Sequence, residues 1–136
     1  MSYDLVKNGI VGLMQGLGYQ ESDEAVDFKN APENEAGMTF ILKNLKGEID
    51  ETCVDRFYDI QEWQVQIAFA KNAQNDLIIR DAMHRAKDTI LITLDEPANW
   101  TSFVKIMKYK SWAVVETPNY YILDVRLQVT DQYIYT

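Results

Sequence analysis

One cysteine and one histidine are all that this chain of 136 residues offers for thiol or imidazole chemistry. Cys53 has no partner for an internal disulfide, which fits a reducing compartment. His84 has only Asp81 and Asp88 at helical reach. A zinc site needs three or four ligands, and neither an H-E-x-x-H nor a paired-cysteine spacing is present. His84 therefore reads as a solvated or interfacial imidazole. A Cys53–His84 nucleophile–base pair fares no better, because Glu51 and Asp55 disfavour a thiolate at Cys53. The acidic segment with Glu48, Asp50, Glu51 and Asp55 lacks the D-x-D-x-D-G calcium spacing. A phosphate loop is also missing: Gly9, Gly12, Gly16 and Gly18 belong to a predicted helix and follow no strand. The expectation is a protein without catalytic residues, metal or cofactor.

Basic charge is also scarce. Thirteen lysines and arginines face 21 acids, for a net charge of −8, and binding along nucleic-acid phosphates needs a basic face. Lys105, Lys108 and Lys110 form the one basic cluster and are expected on a solvated strand face. There is no apolar run long enough to span a membrane and none of signal-peptide type, so a soluble, cytoplasmically made protein without membrane contact is expected.

What the chain does contain is patterned apolar sequence. Apolar residues make up 47 %, with eight Tyr, five Phe and three Trp. The length suits one domain over residues 1–136, large enough to bury roughly two-thirds of its unfolded surface. Trp63, Trp100 and Trp112 are expected in core or interface. Leu5, Val6, Ile10, Leu13, Met14 and Leu17 predict an amphipathic helix over residues 3–17, ended at Gly16 and Gly18. Gly9 and Gly12 would let it lie close to a sheet. Residues 19–37 read as a short strand near 25–29 and a loop. Residues 38–43 read as a strand, Lys46-Gly47 as a turn and residues 48–55 as a loop.

The clearest signal lies in residues 55–85. Period-two alternation over residues 57–70 puts Phe57, Trp63, Val65, Ile67 and Phe69 on one strand face and Tyr58, Glu62, Gln64 and Gln66 on the other. Asn75 is the expected N-cap of a helix over residues 76–89, with Ile79, Ala82, Met83, Ala86 and Ile90 inward and Arg80, Arg85, Lys87 and Asp88 outward. A loop with Pro97 follows. Strands are expected over 102–109, 111–116 and 119–130, joined by turns at Tyr109-Lys110-Ser111 and Thr117-Pro118-Asn119. Residues 132–136 are left as a frayed end or a docking tail. The order predicts an α+β fold, a mostly antiparallel sheet packed by two helices. A fourteen-residue strand would reach roughly 46 Å, against a radius of gyration of about 14 Å for such a domain. It must either bend or project past the body as a long strand or hairpin.

The element order carries a resemblance. The opening helix, the strand introduced by Asp55-Arg56-Phe57-Tyr58-Asp59 and carrying Val65-Gln66-Ile67, the helix with Arg80-Asp81-Ala82 ending at Ile90-Leu91, and the closing Tyr120-Tyr121-Ile122-Leu123-Asp124-Val125 together resemble the tail terminator (tail completion, or minor capsid-type) proteins of long-tailed bacteriophages. The resemblance spans nearly the whole chain and rests on pattern and size. It implies a virion protein at the head-proximal end of the tail: a homo-hexameric ring that ends polymerisation of the major tail tube protein, offers a surface to a head–tail connector or stopper, and lets DNA pass without specific binding. The alternatives are another connector, a stopper or the tube protein itself, and, from a different class, a small-ligand-binding or enzymatic α+β domain. Candidate assembly residues are Lys46, Glu48, Asp50, Glu51, Asp55 and Arg56 in the expected loop, Tyr58, Glu62, Gln64 and Gln66 on the outward strand face, and Arg80 and Arg85 on the helix.

Overall fold

The computed structural model describes residues 2–22, 39–51, 54–71, 76–100 and 106–134. Its fold is α+β. The elements run α1 (Ser2–Gly16), β1 (Gln20–Glu21), β2 (Thr39–Asp50), β3 (Arg56–Ala70), α2 (Asp76–Asp95), α3 (Pro97–Trp100), β4 (Ile106–Glu116) and β5 (Tyr120–Ile134). The strands form one sheet in the order β1-β2-β3-β5-β4, antiparallel except for the β1–β2 pair.

The period-two alternation of β3 becomes a two-faced sheet. On one face Trp63, Val65, Ile67 and Phe69 of β3 stand beside Leu127, Val125, Leu123 and Tyr121 of β5, their direct partners. Both helices cover this face. Val6, Ile10 and Met14 of α1 and Met83, Ile90 and Leu94 of α2 join those strand residues in one buried cluster with Phe40 and Met107. At about 1.5–3 kcal/mol per buried large apolar side chain, this cluster is the main source of stability. The opposite face has a smaller buried cluster at one end, Ala68, Tyr120 and Ile122.

The α1 terminus shows how local chemistry sets an element boundary. Gly18 adopts φ +97°. The Gly18 N–H donates to Gln15 O at 3.0 Å and the Tyr19 N–H to Met14 O at 3.2 Å. This is the Schellman arrangement, which needs a residue free of a Cβ at the left-handed position. Tyr19 then folds back into the core, and burial pushes its phenol above its ordinary pKa.

Several expectations are corrected. Lys46-Gly47 is not a turn, and residues 48–50 are not loop: β2 runs straight through them. Tyr109-Lys110-Ser111 is not a turn either, and the two strands expected there are one, β4. Each site is a register shift, between Asn44 and Lys46 in β2 and between Tyr109 and Ser111 in β4. Helix α2 continues to Asp95, past the expected end at 89, because Ile90 and Leu94 extend its buried stripe. Pro97 sits at the first position of α3, where its missing N–H costs nothing. The chain end is neither frayed nor a free tail through Ile134, which pairs with Arg56. Leu5 and Ala82 are exposed, not inward. Gly12 is exposed too, and a Cβ there meets nothing within 4 Å, so it makes no close approach to the sheet. The expected strand near 25–29, the Asn75 cap, Cys53 and Lys105 lie outside the described residues.

These two glycines should respond oppositely to alanine. Gly12→Ala is expected to stabilise by about 0.5–1 kcal/mol, through helix propensity with no clash. Gly18→Ala should destabilise by about 1 kcal/mol or more, because alanine is strained at that φ. Urea unfolding of both variants checks the signs.

Candidate assembly interface

Strands β3 and β5 pair without interruption over all fifteen residues of β3, from Arg56↔Ile134 to Ala70↔Tyr120. At roughly 3.3 Å per residue this ladder is about 50 Å long. The helix-covered core occupies the part of this ladder from Gln61 to Ala70. Met107 and Val129 still belong to the core at the level of Gln61, and β4 ends at Ile106, opposite Thr130. Beyond that rung, residues 49–50, 56–59 and 131–134 continue as a three-stranded arm. The expected projection is therefore an arm of three strands. Ile49 is 54 % exposed and Val54, at the hairpin tip, 99 %.

The two bulges lie on one level. Lys46 pairs with Glu62, and Asn44, across its bulge, with Trp63. Tyr109, at the edge of the other bulge, pairs with Leu127, which pairs with Trp63. Bulges bend and twist a strand, so both edge strands are creased shortly before the helical layer gives way to the arm.

The polar residues at this level are organised across all four long strands. Glu62 is only 14 % exposed and faces three cations: Lys46 Nζ at 3.7 Å, Lys110 Nζ at 3.6 Å and Arg126 Nη1 at 3.8 Å. The two lysines come from opposite edges of the sheet, one at each bulge. Next to them, the Asp124 carboxylate accepts from Gln64 Nε2 at 2.6 Å, Arg126 Nε at 3.0 Å and Gln66 Nε2 at 3.5 Å. On the helix-covered face, Trp63 Nε1 donates to Gln61 Oε1 at 2.7 Å, and Gln61 Nε2 donates to Asp59 Oδ2 at 2.5 Å. Hence the polar side chains leading into the arm bind one another. A cleft of about 130 Å³ borders this network, lined by Lys46, Glu48, Ile60, Glu62 and Lys110 among others.

The residues singled out from sequence divide into three groups. Lys46 and Glu62 are brought together. Gln64 and Gln66 lie on the face away from the helices, as expected, but Gln64 is 7 % exposed and spends its amide on Asp124, so it is an internal strut. Glu48, Asp50 and Glu51 follow the outer edge of the arm and line a second hollow with Ile49 and Ile60. Asp55 and Arg56 close the hairpin tip with two hydrogen bonds, Nη2 to Oδ2 at 2.7 Å and Nε to Oδ1 at 3.0 Å. That pair holds the Asp55 carboxyl below its ordinary pKa and raises that of Arg56. Tyr58 is half-buried on the arm. Arg80 and Arg85 are exposed on α2, in the helical layer.

Sequence reading passed over the outer edge of β4. It has no strand partner among the described residues, and it exposes Ile106, Tyr109, Trp112 and Val115. His84 packs edge-on against Trp112 with ring centroids 6.0 Å apart, and Lys87 Nζ lies 4.2 Å from the Trp112 ring centre. The alternating apolar residues between 106 and 115 were the available signal. At the other side of the sheet, β1 pairs with β2 only at Thr39 and Phe40. The remaining ten residues of β2 have no outer partner strand among the described residues. No group of three metal-ligating side chains occurs among the described residues, and no helix among them is long and apolar enough to cross a membrane.

Fold and geometry thus define a class: an α+β protein whose single sheet has, among the described residues, two long open edges and a projecting arm. Comparison with known proteins finds no matching family model and no matching curated protein.

Two measurements test this geometry. Asp124→Ala strands the buried Gln64 amide and should cost about 1–3 kcal/mol, read as a lower denaturation midpoint at unchanged slope. Glu48→Ala, an exposed edge position, should stay within about 0.5 kcal/mol of the parent. In a carboxyl-carbon NMR titration, Asp55 should titrate below its ordinary 3.8, and Arg56→Ala should raise it.

Proposed function

We propose that this protein is a structural subunit that assembles with copies of itself into a closed ring, and that the ring serves as the tail terminator of a long-tailed bacteriophage. The observation that carries the ring is the pair of open edges. Unpaired backbone donors and acceptors along a sheet edge are a template for another strand. Here two such edges of matching length lie on opposite sides of one sheet. A heterologous contact between unlike edges repeats around an axis and closes if the rotation permits. The phage assignment rests on the resemblance in element order, supported by the long alternating strand and by the arm.

In this reading the ring sits on the head-proximal end of the tail tube. Its subunits contact the major tail tube protein on one side and a head–tail connector or stopper on the other. The acidic charge of the chain suits a passage for DNA, since like charge keeps the phosphates from adhering. No catalysis and no cofactor is required of the protein.

Electron microscopy and solution mass of the purified protein test the proposal, alone and with tube subunits. Discrete rings that cap tubes and limit their growth are expected. Long fibres from the protein alone would reassign it to the tube itself. A monomer that neither assembles nor binds tubes would overturn the ring.

A further inference from the structure

The geometry points to a specific contact: the outer edge of β4 in one subunit pairs antiparallel with the outer edge of β2 in a second copy, two rungs out of level toward the arm tip. This rests on the ring reading above and names the surface that closes it.

Strand directions come first. Each of β2, β3, β5 and β4 is antiparallel to its neighbour, so the two edge strands run in opposite directions. Rotation about an axis along the strands brings β2 of a copy beside β4 with the alternation intact and the helix-covered face on the same side. One contact then satisfies both edges. Twofold contacts of β2 with β2 or β4 with β4 would need two different interfaces.

The register follows from charge and length. With the copies level, Lys108 would lie opposite Lys46, since both belong to the rung of Glu62. Like charges directly opposite are unfavourable. A one-rung shift would turn each side chain to the wrong face. A two-rung shift keeps the faces, and strands in a closed sheet are staggered in any case. It sets Lys108 opposite Glu48, neither of which has an ion-pair partner among the described residues. Tyr109 then lies over Gly47, where an aromatic ring can cover the bare backbone. A Cβ at Gly47 would approach Asp59 Oδ1 to 3.2 Å and press that carboxylate aside. At the far end Val114 meets Leu42 and Val115 meets Ile41, apolar against apolar. Ten residues of β4, 106–115, then lie along the ten of β2, 41–50, that β1 leaves uncovered, and only Glu116 falls at Phe40, where β1 already pairs. The two bulged segments meet in the middle, where Lys46 and Lys110 are each held by the Glu62 of their own subunit.

The test is disulfide trapping in the full chain with Cys53→Ser. Residues paired across a sheet have a Cα separation that a disulfide can bridge. The variant Glu48→Cys with Lys108→Cys should oxidise to a ladder of covalent oligomers ending at the size of the ring. Lys46→Cys with Lys108→Cys, the level register, should give little. In parallel, Glu48→Lys should weaken assembly at least tenfold by concentration-dependent mass, and adding Lys108→Glu should restore it. Rings that form without the 48–108 ladder would overturn this contact and leave the ring intact. Covalent dimers from Lys108→Cys alone would show a twofold β4 contact and also overturn it. A monomer at all concentrations would overturn both.

Discussion

Fifteen consecutive pairs between β3 and β5 are the constraint on which the rest of the structure depends. The ladder brings together segments that are 64 residues apart at its central pair, Trp63↔Leu127, so all that lies between them must fit within that closure. Helix α2, α3 and β4 are one excursion from the end of β3 back to the start of β5. The excursion closes at the turn before β5. There the Thr117 hydroxyl accepts from the Tyr120 N–H at 3.0 Å, and Lys71 N–H donates to Asn119 O at 2.8 Å. The hairpin β2–β3 is anchored on the same ladder from the other side. Because the central pair has no bulge while both edge strands do, the sheet bends at its margins and keeps its axis. That combination lets an arm extend beyond the helices without a core of its own.

The arm is stabilised by other means. From the Trp63 level toward the arm, a hydrogen-bonded belt joins the buried cluster on both faces: Trp63–Gln61–Asp59 under the helices and Gln64–Asp124–Arg126 on the other side. Each buried donor in these chains has an acceptor, which matters more than the count of bonds, because a stranded buried amide costs about 1–3 kcal/mol. The three cations around Glu62 are different in kind. Their distances of 3.6–3.8 Å and the exposure of both lysines make them worth less than about 1 kcal/mol each. Their role is orientation: Lys46 and Lys110 are drawn across the face of the sheet, away from the edges.

How much of this was legible in the sequence depended on how local the signal was. The strands β3 and β5 were readable because apolar residues recur at every second position over 63–69 and 121–129. Helix α1 was readable from its stripe and its glycine stop. The middles of β2 and β4 were misread as turns for one reason: a bulge recruits the same residues as a turn. Lys46-Gly47 and Tyr109-Lys110-Ser111 locally look like reversals, and only the pairing partner distinguishes them. The burial of Gln64 could not be read either, since its acceptor Asp124 lies sixty positions away. Of the candidate assembly residues, Glu48, Asp50, Asp55 and Arg56 were picked from their charge and position, and the structure puts them along the edge and near the tip of the arm. The β4 edge was passed over because, once cut into two short strands, it no longer appeared as one continuous open edge. Arg80 and Arg85 were chosen for exposure and position on a helix, which do not tell which surface they share.

Open edges with lysines and bulges can be read in two ways. These are the devices by which sheet proteins discourage stray edge pairing, and they would serve a subunit that must not aggregate before it assembles. In the proposed contact the same devices select the partner. A flat strand laid along β2 would meet the bulge out of phase and lose its hydrogen bonds past Asn44. The strand that fits must carry an extra residue at the matching level, a lysine against Glu48 and no side chain demanding space over Gly47. The β4 edge of the same chain meets these conditions when displaced by two rungs. Protection from foreign strands and recognition of the chain's own edge therefore follow from one geometric irregularity, placed at the same height in both edge strands.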